Sequence, residues 1–374
     1  MKERLSESAR DSISPLYRRL SEKIVELGLD DFGVAPVCDA ESFDVFVERV
    51  RKGYCADMSY LTDNLEARRS PTSVMSDARS AIVVALSEKR LRDESRDLTE
   101  QIFNAPELSR RDSDSVGVVS GYATCLDYHD ALKKRLKGLA QFCREAIPNV
   151  SARCAVDTAP ILEKELAVRA GLGFCCLNTL VINPKLGTRF FLGEVLLSAS
   201  FSEITGFDKS SDYLRFRAEE ASRAGLASRA RKPQVPCGRC VAACPTGALL
   251  GDGSLDARRC VNYWTIESRE EIPPEIVEAL GGRVFGCDIC QRVCPYNTDV
   301  ESAEPRKISL DGVAELDDAA FRRLFKKTPV FRARLEGLQR TARAVKNDAQ
   351  NGDLDSTKDP PKDATNEKTT ARES

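Results

Sequence analysis

Histidine is almost absent from this chain of 374 residues, which contains His129 alone. Any mechanism or metal site that requires two or three histidines is therefore excluded. Long hydrophobic runs are also absent, because no apolar stretch approaches the ~20 residues needed to cross a bilayer. The N-terminal residues 1–12 lack the apolar segment of a secretory signal. We therefore expect a cytoplasmic protein with no membrane segment, whose net charge of −2 neither favours nor excludes nucleic acid as a partner.

Cysteine is abundant by contrast, with 14 residues. In a cytoplasmic protein such a number indicates metal or redox chemistry and not a disulfide framework. Seven of these cysteines fall between Cys237 and Cys294, in two groups that each end in the pattern C-x₂-C-x₃-C-P. This pattern is typical of proteins that hold iron–sulfur clusters, in which the cysteine before proline binds the neighbouring cluster.

The number of cysteines is one short of what two cubane clusters need, since each cluster is held by four thiolates. The first group lacks one C-x₂ unit of the full motif C-x₂-C-x₂-C-x₃-C-P. Crossed ligation therefore predicts one complete [4Fe–4S] site and one short site with three ligands. The complete site is predicted to contain Cys244, Cys260, Cys287 and Cys290, and the short site Cys237, Cys240 and Cys294.

The short site leaves three outcomes open: a three-iron cluster, a ligand other than cysteine, or no cluster. The whole pattern also has a competing interpretation, because C-x₂-C pairs bind tetrahedral zinc. The two C-P endings and the crossed arrangement favour clusters over zinc.

Strands and helices alternate along the chain up to about residue 200, which indicates a layered domain and an α+β fold. Segment 88–115 is polar with charges of both signs and is predicted to be a loop. Hydrophobic periodicity predicts helices at 12–28, 41–52, 128–147 and 159–170, and strands at 32–37, 81–86, 154–156, 180–182 and 190–197.

Changes in composition divide the chain into five segments. The last has no aromatic residue and too few apolar side chains to offset the entropy of ordering, so it is predicted to be disordered. The segments are a first domain at 12–206, a helical connector at 207–232, a ferredoxin-like iron–sulfur module at 233–300, a short helical tail at 301–346 and the disordered end at 347–374.

Several stretches of the sequence resemble the epoxyqueuosine reductases, a family of cobalamin- and iron–sulfur-dependent enzymes of tRNA modification. The resemblance covers about residues 15–347 and is more specific than ferredoxin spacing alone. In the module it rests on residues 245–248, 255–260, 263–267, 285–291 and 293–297; in the first domain it rests on residues 58–61, Arg68, Pro71, 127–129, 156–160, Glu163, 169–173, 178–179 and 190–194.

The resemblance implies a fold and a function. The first domain would be of the cobalamin-binding type, and the tail would be the remnant of a helical repeat. Electrons from an external donor would pass through two [4Fe–4S] clusters to cobalamin, which would reduce epoxyqueuosine to queuosine at the wobble position of tRNA. The substrate partner would be the tRNA anticodon stem-loop, and the protein a monomer.

Asp157 matches the position of the family's proton donor. The departing oxygen needs a proton, and burial against an apolar cofactor is expected to raise the pKa of this carboxyl. Taken by itself, Asp157 has the position of a strand-end residue that caps the next helix. The matched segment favours the catalytic role.

The resemblance also implies contacts with the cofactor. The plainer interpretation of Arg68 is a solvated surface arginine, and that of His129 is a packing or surface residue. Residues 178–181 would in the same way be an ordinary turn that leads into a strand. The basic residues Arg229, Arg231 and Lys232 are compatible with tRNA phosphates and equally with a charged connector. The implied cofactor-binding residues are Arg68, Ser120, His129, Asp157, Asn178, Thr179 and Val181.

The chain departs from the family's pattern near the implied cofactor. Cys176 and Leu177 stand where the family has Gly and Lys, which removes a charge and a hydrogen-bond donor. Cys125, Ala56 and Gly121 stand where the family usually has Gly, Gly and Arg. The helical tail is short, which would weaken RNA binding and not the chemistry.

These departures leave other interpretations open. Cys175 and Cys176 are either two small buried apolar residues or a source of a thiolate near the cobalt or a cluster. The alternative functions are a related corrinoid reductase of a small molecule, similar to reductive dehalogenases, and a non-catalytic electron carrier. The segment around Asp157 favours an enzyme, whereas Leu177 and the seven-cysteine count favour an impaired one.

Overall fold

The computed structural model describes residues 13–109, 115–157, 159–230 and 232–351. The fold is α+β, as predicted, and contains a four-stranded, a three-stranded and a two-stranded sheet within these ranges. Among these residues no helix is both long and apolar enough to cross a membrane. The strands of the first half are β1 (Asp31–Pro36), β2 (Ser80–Ser87), β3 (Val116–Val119), β4 (Ala152–Ala155), β5 (Phe174–Cys175), β6 (Val181–Ile182) and β7 (Phe190–Leu197).

Helices cover both faces of the largest sheet. They begin at identifiable caps: Ser14 accepts a hydrogen bond from the N–H of Tyr17, with Pro15 in the first turn, and Asp127 accepts one from the N–H of His129. The helices of this half are α1 (Pro15–Glu26), α2 (Phe43–Arg51), α3 (Ser59–Thr62), α4 (Glu88–Phe103), α5 (Tyr128–Ala146), α6 (Glu163–Arg169), α7 (Phe201–Thr205) and α8 (Ser210–Arg223), with 3₁₀ turns at Leu65–Arg69, Pro71–Ser73 and Gly121–Thr124.

Among the described residues, the second half contains several short helices, one longer helix and two strands. These pack around a core that also takes in Phe103 and Val119 of the first half, and in which Phe285, Phe325 and Leu338 are completely buried. The elements are α9 (Arg239–Ala242), α10 (Val261–Ile266), α11 (Pro274–Leu280), β8 (Arg283–Phe285), α12 (Ile289–Arg292), β9 (Arg306–Ser309), α13 (Leu310–Ala314), α14 (Asp318–Phe325) and α15 (Arg334–Asn351), with 3₁₀ turns at Ala257–Arg259, Pro295–Asn297 and Pro329–Ala333.

The four-stranded sheet is antiparallel throughout, in the order β1-β2-β7-β4. Strand β2 is central and buried along its whole length, which explains its continuous apolar sequence. Strand β7 pairs with β2 and β4. The residues directly before β7 contact the second half of the chain. The sheet therefore gives rigid support to the residues at both ends of β7.

The three-stranded sheet joins the two halves of the chain. Strand β3 lies at its centre, parallel to β8 and antiparallel to β9. Gly117 in β3 has no room for a side chain, since an added Cβ would lie 2.4 Å from Val284. The segment boundaries predicted at residues 206 and 300 are thus crossed by a shared sheet.

The segment before β7 makes a second connection. Asn297 accepts a hydrogen bond from the N–H of Thr188 and donates one to its hydroxyl, both at 2.8 Å. The Thr188 hydroxyl in turn donates to Gln291 at 2.9 Å. Arg189 is buried between Glu88 and Asp288, with nitrogen–oxygen distances of 3.7 and 3.8 Å. Polar contacts therefore fix the cysteine module to the end of the first sheet.

The loop predicted at 88–115 is wrong for its first part, because Glu88–Phe103 forms α4. Ser87 caps this helix, and its buried face includes Ser95 and Thr99 beside apolar residues. These two hydroxyls are satisfied locally: Ser95 donates to the carbonyl of Leu91, and Thr99 to that of Thr124. Hydrophobic periodicity does not detect a buried helix face that contains small polar residues. Residues 110–114 lie outside the described ranges.

The helical tail is packed into the second half. The guanidinium of Arg340 in α15 donates to the carbonyls of Trp264, Ser268 and Glu270 at 2.6–2.9 Å. Helix α15 continues to Asn351, within the segment predicted to be disordered, whose remaining residues lie outside the described ranges. The tail is therefore part of the core that supports the cysteine module.

Candidate functional site

The cysteine module brings its two groups together through short helices. Helix α9 contains Cys240 and packs against α12, which contains Cys290. In each group a one-turn helix contains the middle cysteine, and the first and last cysteines lie just outside that helix. In the described part of the chain, no three His, Cys, Asp or Glu side chains are arranged to hold a single metal ion.

The four thiols predicted for the complete site influence one another's ionisation. Burial, followed by the thiols of Cys287 and Cys244, raises the pKa of Cys260 to about 11. Burial and the thiols of Cys287, Cys260, Cys240 and Cys244 also raise the pKa of Cys290. Since clusters bind thiolates, we expect loading of this site to release protons. The four cysteines lie together, and their role as one ligand set stays a prediction.

The three cysteines of the short site line a separate cavity of about 390 Å³. Cys237 is exposed, whereas Cys240 and Cys294 are buried. Cys176, from the turn after β5, lines the same cavity. The short site therefore faces the first domain.

A smaller cavity, of about 120 Å³, lies on the other side of the β5–β6 hairpin. Its walls combine apolar side chains with ionisable ones, a combination typical of ligand sites. The lining includes Tyr128, Asp157, Glu163, Val181, Phe190 and Leu192.

Asp157 is the centre of a hydrogen-bonded cluster in this smaller cavity. It follows β4 with a left-handed φ of 45°, which aspartate tolerates better than most residues. Its Oδ2 atom lies 2.9 Å from Nε2 of His129 and accepts a hydrogen bond from the Tyr128 hydroxyl at 3.0 Å. Nδ1 of His129 lies 2.7 Å from Asp127. The imidazole therefore bridges two carboxylates.

The pKa of Asp157 contradicts the expectation from the sequence. Its hydrogen bond with His129 lowers the pKa below the usual range and outweighs the effect of burial. Burial alone would lower the pKa of His129, but hydrogen bonds to Asp127 and Asp157 raise it to about 9. At neutral pH the proton is thus held on His129, adjacent to an ionised Asp157.

Two further carboxyl groups lie near Asp157. Burial, and then the charge of Asp157, raises the pKa of Glu163 to about 7. Glu194 in β7 is almost completely buried, and burial together with Glu163 and Asp157 raises its pKa as well. Its Oε1 atom has no hydrogen-bond partner among the described residues. The site therefore stores protons on groups that ordinarily lose them below neutral pH.

The implied cofactor-binding residues lie in three places. Val181 and His129 belong to the smaller cavity or border it. Arg68 is buried, donates to the carbonyl of Tyr60 at 2.8 Å and feels the charges of Asp157 and Glu163. Asn178 lines the larger cavity, and Ser120 is buried directly after β3, where its N–H donates to the carbonyl of Phe285.

Thr179 and Arg229 have local roles. The N–H of Thr179 donates to the carbonyl of Cys176 at 2.9 Å, in a turn where Thr179 has a left-handed φ of 63°. Arg229 donates to the carbonyl of Tyr296 in the cysteine module, which favours the connector interpretation. Arg231 lies outside the described residues.

Tyr128, Glu163 and Glu194 are functional candidates to which the sequence had assigned no role of their own. Tyr128 directly precedes His129 and stacks on Phe191, with ring centroids 4.2 Å apart. Glu163 and Glu194 lie in stretches that resemble the family, but burial and charge at these positions depend on the packed sheet. The usable signals were the resemblance of these stretches to the family and the proximity of Tyr128 to His129 in sequence.

Comparisons with known proteins identify the module first. Residues 235–297 match the 4Fe-4S double cluster binding domain, and residues 68–158 match the family described as epoxyqueuosine reductase QueG, DUF1730. Fold and site together define an iron–sulfur oxidoreductase, in which a double-cluster module adjoins a pocket rich in buried acids.

The relatives specify the family. The epoxyqueuosine reductase of Cyclobacterium marinum is 31% identical over 335 residues, which cover 87% of this chain and 94% of the relative. The structure of epoxyqueuosine reductase from Streptococcus thermophilus has the same fold, with a TM-score of 0.68, 23% identity, and coverage of 88% of this chain and 80% of the other. A crystal structure of an epoxyqueuosine reductase with an epoxyqueuosine-modified tRNA-Tyr stem loop is similar, with a TM-score of 0.67 and the same identity and coverage. The chain belongs to the epoxyqueuosine reductase family.

Proposed function

We propose that this chain reduces epoxyqueuosine to queuosine at the wobble position of tRNA and binds the anticodon stem-loop as its substrate. Family membership supports the reaction, and a similar structure that contains a modified tRNA stem loop supports the substrate. The observation that carries the proposal is the contact of 2.9 Å between His129 and Asp157, beside a double-cluster module. This contact holds a proton on His129 next to Asp157, and the double-cluster module would supply the electrons.

The balance of the reaction agrees with the ionisable groups of the pocket. Conversion of the epoxide to an alkene consumes two electrons and two protons, and the oxygen leaves as water. Near neutral pH, His129 holds one proton, and Glu163 is close to half-protonated, with a pKa of about 7. We infer that Asp157 delivers the first proton, which it receives from Nε2 of His129, and that Glu163 replenishes the pair.

Residues in and near this pocket support the binding of cobalamin, although the cavity of about 120 Å³ is too small to enclose the whole cofactor. Arg68 has a buried Nε–H without a partner among the described residues, which an acceptor on a bound ligand would satisfy. Val181 and Leu192 give the cavity an apolar wall. Arg68 and His129 would hold polar groups of the cofactor, and Val181 its apolar edge. When bound, reduced cobalamin supplies the electrons for the reaction.

The remaining features of the proposal concern the protein's surroundings. An external donor reduces the clusters, and the protein acts as a monomer in the cytoplasm. The first domain binds cobalamin and substrate, while the cysteine module passes electrons to it. The contacts of Thr188 and Arg189 with the module support this division of labour, because they keep the two parts in a fixed arrangement.

The direct test is turnover of a tRNA anticodon stem-loop that contains epoxyqueuosine. We expect anaerobically purified protein, supplied with cobalamin and a chemical reductant, to yield queuosine, detected by mass spectrometry of the digested RNA. Measured iron, sulfide and cobalamin should show loaded clusters and bound corrin in the same sample. Turnover of small corrinoid-reductase substrates without turnover of the RNA would contradict the proposal. Loaded clusters without bound corrin would favour an electron carrier.

A further inference from the structure

The larger cavity is lined by four cysteines that come from both parts of the protein. Cys237, Cys240 and Cys294 belong to the module, and Cys176 follows strand β5 of the first domain. Neither the spacing of the module nor the family's pattern provides for a thiol at position 176. A cluster of four thiols around one cavity is the donor set that a cubane cluster requires.

The module itself does not supply the fourth thiolate of the short site. Counted back from Cys244 in steps of the full motif, the missing cysteine falls at position 234, where the chain has Gln234. Cysteine thiolates are the usual ligands of [4Fe–4S] clusters, and an uncharged amide is a poor substitute. The first group thus lacks one of the ligands that the full motif would supply.

Cys176 lies close to the other three cysteines. It packs with Phe174, Ile182 and Tyr296 around Cys294. Cys237 and Cys240 line the same cavity as Cys176 and Cys294. One thiol of the first domain therefore shares a cavity with the three thiols of the short site.

The hairpin presents Cys176 and Cys175 to opposite sides, as alternate residues of a strand do. Cys175 packs into the core beneath the first sheet with Ala35, Leu172 and Val181. Cys176 lies on the face of Ile182, which borders the larger cavity. The two adjacent cysteines thus have different surroundings, and only Cys176 faces the module.

The backbone holds Cys176 in place. The turn that follows it is closed by the hydrogen bond from the N–H of Thr179, a β-branched residue with a left-handed φ. Such strained conformations persist where the surrounding structure imposes them, often at ligand sites. Gly173, before β5, lies so close to β6 that an added Cβ would be 2.0 Å from the carbonyl oxygen of Ile182. The hairpin is therefore a preorganised support for a ligand.

We propose that Cys176 is the fourth thiolate ligand of the cluster held by Cys237, Cys240 and Cys294. The short site then holds a complete [4Fe–4S] cluster, with three ligands from the module and one from the first domain. Assembly forms an iron–sulfur bond to Cys176, whose thiol proton goes to solvent. The proposal rests on the double-cluster domain and is independent of the substrate.

This ligand would attach the cluster to the partition between the two cavities. Cys176 and Ile182 face the larger cavity, whereas Val181 faces the pocket that contains Asp157. Only four residues, 177–180, separate Cys176 from Val181 along the chain. Electrons that leave this cluster would begin their path on the wall of the proposed active site.

The test is the cluster content of matched cysteine variants, measured without any RNA substrate. After anaerobic reconstitution, the unaltered chain should contain about eight irons and about eight sulfides. Cys176→Ala should contain about seven irons or fewer, and after mild oxidation it should show the EPR signal of a three-iron cluster. Cys175→Ala, which removes the adjacent thiol, should retain the iron, sulfide and EPR spectrum of the unaltered chain.

Two further variants keep the test decisive. Cys176→Ser preserves the size of the side chain and should change the EPR spectrum of one cluster while the thermal unfolding temperature stays within a few degrees. Adding Gln234→Cys to Cys176→Ala restores the regular motif and should return the iron content to about eight. Unchanged iron, sulfide and EPR spectra in folded Cys176→Ala would overturn the proposal, as would a three-iron cluster in the unaltered chain. If the unaltered chain has all its clusters but does not turn over the modified RNA, the proposed function is contradicted and the ligand proposal is not.

Discussion

Asp157 accepts hydrogen bonds from both His129 and Tyr128 at one oxygen atom, Oδ2. Replacement by asparagine leaves the size of the side chain unchanged but removes the charge that keeps the proton on His129. We expect Asp157→Asn to lower turnover of the modified stem-loop by about 10²–10⁴-fold. Iron and sulfide content should not change.

The matched control is Asp130→Asn, an exposed aspartate in the first turn of the same helix as His129. This variant should retain full turnover, because Asp130 lies outside the pocket. If Asp157→Asn is as active as the control, Asp157 is not the proton donor.

His129 makes the stability of the protein dependent on pH. Its pKa in the folded state is about 9, above the ordinary value of 6.5. A raised pKa means that the stabilisation is complete below pH 6.5 and is lost as the pH rises through about 9. Glu163, whose pKa is raised from 4.5 to about 7, contributes a further loss of stability as the pH rises from about 4.5 to about 7.

We therefore expect the free energy of unfolding to fall between pH 7 and 9.5 by on the order of 1–3 kcal/mol through His129. The measurement is denaturant unfolding at several pH values for the unaltered chain and for His129→Gln. The variant should be less stable at pH 7, and the difference should shrink toward pH 9.5. A constant difference would show that His129 does not titrate as described.

At this scale the sequence predicts positions better than protonation states. The resemblance identified Asp157 and His129, and both lie in or beside one pocket. The lowered pKa of Asp157 was not foreseen, because it depends on the orientation of an imidazole that Asp127 also holds. Such an arrangement follows from the packing of helix α5 against β4, which no local pattern encodes.

Ala56 occupies a backbone conformation that suits glycine. Its φ of 51° is left-handed, and it stands where the family usually has Gly. Removal of the Cβ relieves a strain of about 1–2 kcal/mol, which exceeds the entropic cost of glycine, about 0.5–1 kcal/mol. We expect Ala56→Gly to stabilise the protein by roughly 0.5–1 kcal/mol in denaturant unfolding.

Ala224→Gly is the matched control for this change. Ala224 is exposed at the end of α8 with an ordinary φ of −75°, so glycine should leave the stability unchanged or lower it. A loss of stability in Ala56→Gly of the same size as in Ala224→Gly would contradict the strain at Ala56.

The turn before β7 tests how tightly the module is held. Gly187 has a φ of +57°, and an added Cβ would lie 2.0 Å from Oδ1 of Asn297. Gly187→Ala should therefore displace Asn297 and destabilise the protein by about 2–4 kcal/mol, from overpacking and backbone strain together. Cluster content should become labile at moderate temperature, which iron release during heating would report.

Gly225→Ala separates the two causes. Gly225 has a similar φ of +76°, but an added Cβ meets no atom within 4 Å. It should show the backbone cost alone, about 1–2 kcal/mol, and no change in iron release. Equal effects of the two substitutions would mean that the Asn297 contact contributes nothing.

Elements with a strong apolar period were predictable, and those with small polar side chains in buried positions were not. Strand 190–197 agrees with β7 in both bounds. Helix α4 was missed, since Ser95 and Thr99 replace apolar residues on its buried face and are satisfied by nearby carbonyls. The hydrogen-bond partner of Thr99 belongs to another element, so the sequence alone gives no sign of it.

Arg189 connects the first domain and the cysteine module by ionic contacts. It lies buried between Glu88 of α4 and Asp288, which separates two cysteines of the complete cluster site. Removal of the guanidinium leaves two buried carboxyls without their counter-ion. We expect Arg189→Met to lower the free energy of unfolding by roughly 3 kcal/mol and to weaken retention of the cluster at the complete site.

Arg215→Met is the control for this prediction, because Arg215 is exposed and pairs with Asp212 at 3.9 Å. Its loss should change stability by less than about 1 kcal/mol. If Arg189→Met has the same small effect, the buried contacts do not stabilise the junction.

The arrangement of the whole molecule could be predicted only in part. The α+β class and the double-cluster module follow from periodicity and cysteine spacing. The sharing of β3 between the two halves does not, because Val116–Val119 is too short to give a strand signal. Division into segments at residues 206 and 300 stays a prediction about function, since the polypeptide on either side contributes to one sheet.

The central place of β3 has a consequence for the order of events during synthesis. This strand leaves the ribosome early, whereas β9, its antiparallel neighbour, is 187 residues farther along, counted from Val119 to Arg306. At typical rates of translation the interval is roughly 10–40 s. Every cysteine of the module emerges within that interval, before the sheet beside it can close. The nascent protein must therefore keep these thiols reduced until strand β9 arrives.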